Sequence, residues 1–171
     1  MTSEYVVRRA TPADAEALAC GAVEGVSGYG EFAAGWSGPG YEHELADARA
    51  VLEDAEYRAI AAVTADGAVA GQVAVVPAAR AARPVEDPAL GHLRNLFVAS
   101  EHWGTGLAST LLRAAEQDSR ERGFTALRLF VAEGQARARR FYEREGWQAV
   151  TEPYDDPVPG LSMVEYRRAL G

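Results

Sequence analysis

Positions 93–112 read LRNLFVASEHWGTGLASTLL. An apolar strand candidate runs into a short turn, two glycines one residue apart, and a helix with apolar residues at 107, 108, 111, 112 and 115. The first N–H groups of a helix have no partner within it, and the aligned peptide dipoles leave partial positive charge at that end. Gly104 and Gly106 remove the side chains that would keep a phosphate from those N–H groups. This order therefore predicts an anion site. A P-loop would need Lys and then Ser or Thr after its last glycine, where Leu107 and Ala108 stand. A dinucleotide fingerprint would need Gly or Ala at Ser109 and a place near the start of the chain.

The 171 residues suit one domain over 1–171, long enough to bury about two thirds of the unfolded surface. Seventeen basic residues against 25 acidic leave a net charge of −8, which argues against a nucleic-acid or anionic-membrane partner. The start of the chain shows no basic region followed by a long apolar run, and nowhere are there eighteen consecutive apolar residues. A soluble, cytoplasmic protein with no signal peptide is the expectation. Cys20, the single cysteine, has no histidine at helical spacing and reads as a small core residue.

Trp103-Gly104-Thr105-Gly106-Leu107-Ala108, five residues after Val98, resembles the acyl-CoA signature Q/R-x-x-G-x-G/A of the GCN5-related N-acetyltransferase (GNAT) family. Trp103 replaces the usual Gln or Arg at a position that contributes mainly through its backbone. About thirty residues on, the stretch 127–147 is similar to the second family signature, N-x-x-A-x-x-F/L-Y-E-x-x-G-F. Ala138, Phe141, Tyr142, Glu143, Gly146 and Trp147 fall in place, and Gln135 stands where Asn is commoner. The two blocks cover roughly 90–150; the rest of the chain agrees through topology.

Taken in order, 5–9 reads as a strand, and Thr11-Pro12 as the start of a helix with Ala15, Leu18, Ala19, Ala22, Val23 and Val26 on one face. Segment 27–40 is glycine-rich and carries Tyr29, Phe32 and Trp36, either anchored to the core or lining an amine pocket. A second helix over 41–55 turns His43 to solvent. Strands at 57–64 and 68–76 flank the turn Ala65-Asp66-Gly67. After the loop 77–90 come strand 91–98, a helix ending at Arg122 and Gly123, strand 125–131, a helix closed by Gly146, and strands at 147–151 and 161–169. The proline- and acid-rich segment 152–160 reads as a solvated connection or as a rim of the acceptor site, and with 27–40 and 77–90, which holds Arg80 and Arg83, it is expected to shape the acceptor pocket. The result is an α/β chain with a mixed, mostly antiparallel central sheet flanked by helices, the GNAT-like acyl-CoA N-acyltransferase fold that the resemblance implies.

The resemblance further implies an acetyl-CoA-dependent N-acetyltransferase acting on a primary amine of a small molecule or peptide by direct attack in a ternary complex. Strands 91–98 and 125–131 would lie parallel and splay, with the pantetheine arm paired to backbone at Leu96, Phe97 and Val98. The amides from Trp103 and Gly104 through Thr105, Gly106, Leu107 and Ala108 to Ser109 would hold the pyrophosphate of coenzyme A. Gln135 and Arg139 would add contacts, with Arg137 and Arg140 as further candidates for a phosphate.

An amine with pKa about 10.4 must lose a proton before it attacks. His92, near the place of a strand glutamate in many relatives, is the candidate base, with a water relay as the alternative. A backbone N–H near Val98 would stabilise charge on the carbonyl oxygen. Tyr142 matches the acid that protonates the departing sulfur. No metal is implied, since His43, His92 and His102 lack ligand spacing. A homodimer is left open, and a non-catalytic acyl-CoA-binding or sensing module of the same fold is the alternative.

Overall fold

The computed structural model describes residues 4–157 and 159–171. Strand β1 (Tyr5–Arg9) leads to a 3₁₀ turn at Pro12–Asp14 and helix α1 (Ala15–Gly25). Thr11 N–H donates to Asp14 at 2.7 Å, and Arg8 grips the same carboxylate at 2.7 Å, so the helix entry is tied back to β1. A 3₁₀ turn at Ser27–Glu31 precedes α2 (Tyr41–Glu53). The chain continues through β2 (Arg58–Thr64), β3 (Val69–Pro77), β4 (Leu90–Val98), α3 (Leu107–Glu121), β5 (Ala126–Ala132) and α4 (Ala136–Arg144). It closes with β6 (Gln148–Ala149), β7 (Tyr154–Asp156) and β8 (Leu161–Ala169).

Alternating apolar runs over 57–64 and 68–76 become β2 and β3 because every second residue faces one helical layer and the rest the other. The strand expected at 147–151 shrinks to two residues. Segment 152–160, expected to be solvated, instead contains β7, paired to β8 through Tyr154↔Met163 and Asp156↔Leu161, with Asp156 buried. Val158 lies outside the described residues. Cys20 also departs from expectation, for it is exposed. The buried stripe of α1 is Ala15, Leu18 and Ala19, and the next step of about 100° carries residue 20 out to solvent.

The strands form one mixed sheet in the order β1-β2-β3-β4-β5-β8-β6, with β7 on β8 as well, and β4–β5 the parallel pair among the described residues. On one face, α3 and α4 cover Leu93, Leu127, Leu129, Val131, Val164 and Tyr166. On the other, α1 and α2 cover Ala59, Ala61, Ala74 and Val76. A third cluster continues that second face past the sheet centre, joining Phe130, Ala132, Leu161 and Met163 to Tyr29, Trp36 and Tyr154.

Two irregularities shape the centre. Backbone pairing of β4 with β5 covers Leu90↔Ala126, Gly91↔Leu127 and His92↔Arg128, after which the strands part while β5 stays paired to β8 through Ala132. Opposite β3, Ala74 faces Arg94 and Gln72 faces Phe97, so Asn95 and Leu96 share one partner. That β-bulge places Asn95 at φ +56°, a left-handed conformation that Asn tolerates better than most side chains.

Candidate active site

Helix α3 begins beside the fork. Gly104 and Gly106 adopt φ +79° and +83°, a region costly for other residues, and a Cβ at either would meet nothing within 4 Å. The cradle is open. Thr110 N–H is the first in the helix to find a carbonyl, that of Gly106 at 3.1 Å. Ahead of it, Leu107 N–H makes only a 3.4 Å contact with Thr105 Oγ1, and no side chain caps the terminus. The turn is held from outside, by Thr105 on the His102 carbonyl at 2.7 Å and by His102 Nδ1 3.0 Å from the Tyr5 hydroxyl. Ser109 donates to Glu145 at 2.7 Å, tying α3 to the end of α4. A doubly charged phosphate group fits such a nest of free amides.

Beyond His92 the edge of β4 that faces β5 has no strand partner. Ala99 N–H bonds to Ala70 on β3, so strand alternation turns the amides of Val98 and Leu96 toward the fork. Trp103 uses that edge: its indole N–H donates to the Val98 carbonyl at 2.8 Å, and the ring is 55% exposed. Arg137, in the first turn of α4, lays its guanidinium 3.9 Å above the indole, so the pair bridges the two helix starts. Arg139 is turned inward onto the Tyr166 hydroxyl at 3.1 Å and the Glu133 carbonyl at 3.3 Å. Arg140 is exposed, and Gln135 bonds through its backbone to Ala132 and Arg139 at the start of α4.

Tyr142 and His92 lie on opposite faces of the sheet. Tyr142 belongs to the α3/α4 core, with Phe141, Trp147 and Tyr166 rings 5.3, 5.8 and 6.3 Å away. Burial, with a smaller contribution from Tyr29, raises its pKa well above that of a free phenol, so the proton stays on oxygen. His92 packs 5.0 Å from Phe130 on the α1/α2 face. Burial, reinforced by Arg128 and Arg94, lowers its pKa to about 3, so the ring is neutral. Its Nδ1 is buried without a partner.

Three segments distant in sequence meet beside His92. From 27–40, Tyr29 and Trp36 join Phe130 in packing against the cluster of Ala132, Leu161 and Met163, while Phe32 lies so close over Gly134 that a Cβ there would fall 2.5 Å from its ring. From 77–90, Arg83 stacks 4.3 Å over Tyr154, which comes from 152–160. On the same face, next to the bulge, a shallow solvent-open depression is lined by Glu44, Asp47, Tyr57 and Asn95. Of these groups, Arg83, Arg128 and Tyr154 were not singled out from the sequence as site residues. Arg128 had one signal, a charge in an otherwise apolar strand; the other two lie on loops expected to shape the acceptor pocket, and their stacking on each other became visible only in the fold.

The described residues contain no group of three or more His, Cys, Asp or Glu placed to hold a metal. No helix among them is long and apolar enough to cross a membrane. A family model described as the acetyltransferase (GNAT) family matches residues 27–147. The chain belongs to this family. Mouse N-acetyltransferase 8 is 36% identical to it over 85 residues, a stretch that covers 47% of this chain and 37% of the mouse protein.

Similar solved structures reproduce the GNAT fold over nearly the whole length. A GCN5-related N-acetyltransferase from Kribbella flavida has 23% identity, covers 97% of this chain and 98% of its own, and has a TM-score of 0.73. A GNAT acetyltransferase from Staphylococcus aureus has 14% identity, 98% and 99% coverage, and a TM-score of 0.75. A third, from Salmonella typhimurium, was solved with its cofactor acetyl-CoA and has 19% identity, 99% and 95% coverage, and a TM-score of 0.71.

Proposed function

We propose that the protein, as one domain over 1–171, is an acetyl-CoA-dependent N-acetyltransferase that acetylates a primary amine of a small molecule or peptide by direct attack. The observation that carries this is the uncapped start of α3, opening beside a fork between two parallel strands. Bound there, acetyl-CoA supplies an activated thioester carbonyl. The amides of Gly104 to Ser109 would hold its pyrophosphate, and Arg137, already at the mouth, is better placed than the inward-turned Arg139 to take a further phosphate. Leu96, Phe97 and Val98 would present the strand edge to the pantetheine arm, and the Val98 N–H would receive the charge that develops on the carbonyl oxygen.

Proton traffic follows from the two faces. The amine must lose one proton as its bond to the carbonyl carbon forms, and the departing sulfur must gain one. Tyr142, held neutral on the α3/α4 side, would donate to sulfur. The amine would approach from the α1/α2 side, past the carboxylates of Glu44 and Asp47. His92, kept neutral by burial, is suited to hand a proton on and not to hold it, so a water relay touching His92 completes the path.

Tyr142→Phe tests the reading against a non-catalytic acyl-CoA sensor. Turnover of acetyl-CoA with an amine panel should fall by about a hundred-fold or more, while stabilisation by acetyl-CoA in a thermal melt is retained. Unchanged turnover in the variant would remove Tyr142 as the acid. Wild-type protein that binds acetyl-CoA yet acetylates no amine would establish the sensor.

A further inference from the structure

Around Phe130 on the α1/α2 face, three buried polar atoms have no hydrogen-bond partner: His92 Nδ1, Arg128 Nε and the Tyr154 hydroxyl. The ring centres of His92 and Tyr154 lie 5.0 and 6.5 Å from that of Phe130, and the Arg128 guanidinium carbon lies 4.8 Å from it. Each unsatisfied buried group costs on the order of 1–3 kcal/mol. Three gathered on one ring mark a place where a ligand supplies the missing partners.

The sign of the charge there is equally specific. Arg128 is 1% exposed, and among the described residues its Nη2 donates to main-chain carbonyls, Ala82 at 2.8 Å and Ala78 at 3.4 Å. Glu165, the carboxylate with the largest electrostatic effect on it, is bound by Arg167 at 2.7 Å. Asp156, which also faces Tyr154, is itself engaged. Arg83 adds a second guanidinium above Tyr154, from a backbone at φ +52° that a non-glycine residue seldom adopts. A buried guanidinium without a paired carboxylate is expensive, and an anionic group from outside resolves it.

We propose that this cluster binds the carboxylate of the acceptor, so that the amine acetylated belongs to a small α-amino-acid-like molecule. The proposal rests on the acetyl-transfer reading. The spacing follows from the fork, which opens directly after the His92–Arg128 pair. A carboxylate held there would turn the neighbouring amine toward the edge of β4 that opens after His92.

The test is steady-state kinetics with acetyl-CoA and the twenty common amino acids, each beside its amide and its decarboxylated amine, with spermidine and 2-aminoethylphosphonate included. At least one amino acid should exceed its amide and its amine in kcat/KM by about ten-fold or more, as expected for one lost charged hydrogen bond. Arg83→Gln and Tyr154→Phe should each raise KM for that acid by about ten-fold while KM for acetyl-CoA is unchanged. Tyr154→Phe should not lower the melting temperature, because its hydroxyl has no protein partner to lose. A purely structural Tyr154 would show the reverse, a lower melting temperature with KM unmoved.

Equal or better use of the amides, the amines, spermidine or the phosphonate would overturn the proposal. If acetyl-CoA binds but nothing is acetylated, calorimetric titration of the amino acids into the coenzyme A complex separates the two readings. Binding lost in Arg83→Gln keeps the anion site and removes the transfer; no binding removes the anion site.

Discussion

His92 shows how far a single side chain can be moved from its solution behaviour. An unfolded chain protonates this histidine near pH 6.5, whereas the folded one resists until about pH 3. Because the folded pKa is depressed, the stability it contributes is complete above pH 6.5 and is lost as pH falls toward 3. Urea unfolding between pH 6.5 and 4.5 should therefore show a slope of up to about 1.4 kcal/mol per pH unit from this group. His92→Gln should flatten that slope, and an identical profile in the variant would show that the ring titrates normally. Gly71 is constrained by shape instead. A Cβ there would stand 2.8 Å from Leu111 and 2.9 Å from the Phe97 carbonyl, and the latter belongs to a strand that cannot yield. Gly71→Ala should cost about 1–3 kcal/mol in chemical denaturation. Both requirements come from neighbours distant in sequence, which is why the family resemblance could name His92 as a candidate base without revealing that its ring is held neutral.

Helix α3 and the strand before it carry most of what was legible in advance. The glycine pair, the apolar face at Leu107, Leu111, Leu112 and Ala115, and the exit at Gly123 are local properties, and the structure places all of them as expected. What Trp103 does was not legible, because its partners are the Val98 carbonyl and Arg137, one before the turn and one on another helix. Since the pantetheine arm would use the same edge of β4, acetyl-CoA should displace or shield the indole. Titration should give a saturable change in tryptophan fluorescence that Trp103→Phe abolishes, leaving Trp36 and Trp147 as background. A signal that survives in the variant would place the cofactor away from this edge. The segment 152–160 is the converse case: its prolines and acids suggested a solvated link, yet the unpaired edge of β8 recruits Tyr154 to Asp156 as a strand.

For the whole molecule, binding at α3 and the fork couples a ligand to two helices and the central strands, so acetyl-CoA should raise global stability. At a hundred times its dissociation constant the gain is about 2.7 kcal/mol, a rise of several degrees in melting temperature for a chain of this size. ATP and NAD should give no such rise, and no shift with acetyl-CoA up to millimolar concentration would count against the proposed function. Apart from β7, the order of strands and helices was legible in the sequence alone, as were the glycine-opened helix start and the family signatures, because periodicity, turn glycines and helix ends depend on near neighbours. The fork was expected through the family resemblance and not from residue spacing, while the bulge at Asn95, the neutral His92 and the meeting of Arg83, Arg128 and Tyr154 were decided by tertiary structure. Each of these depends on which strand lies beside which and on how much water is excluded between them, and such long-range contacts leave no trace in the spacing of residues along the chain.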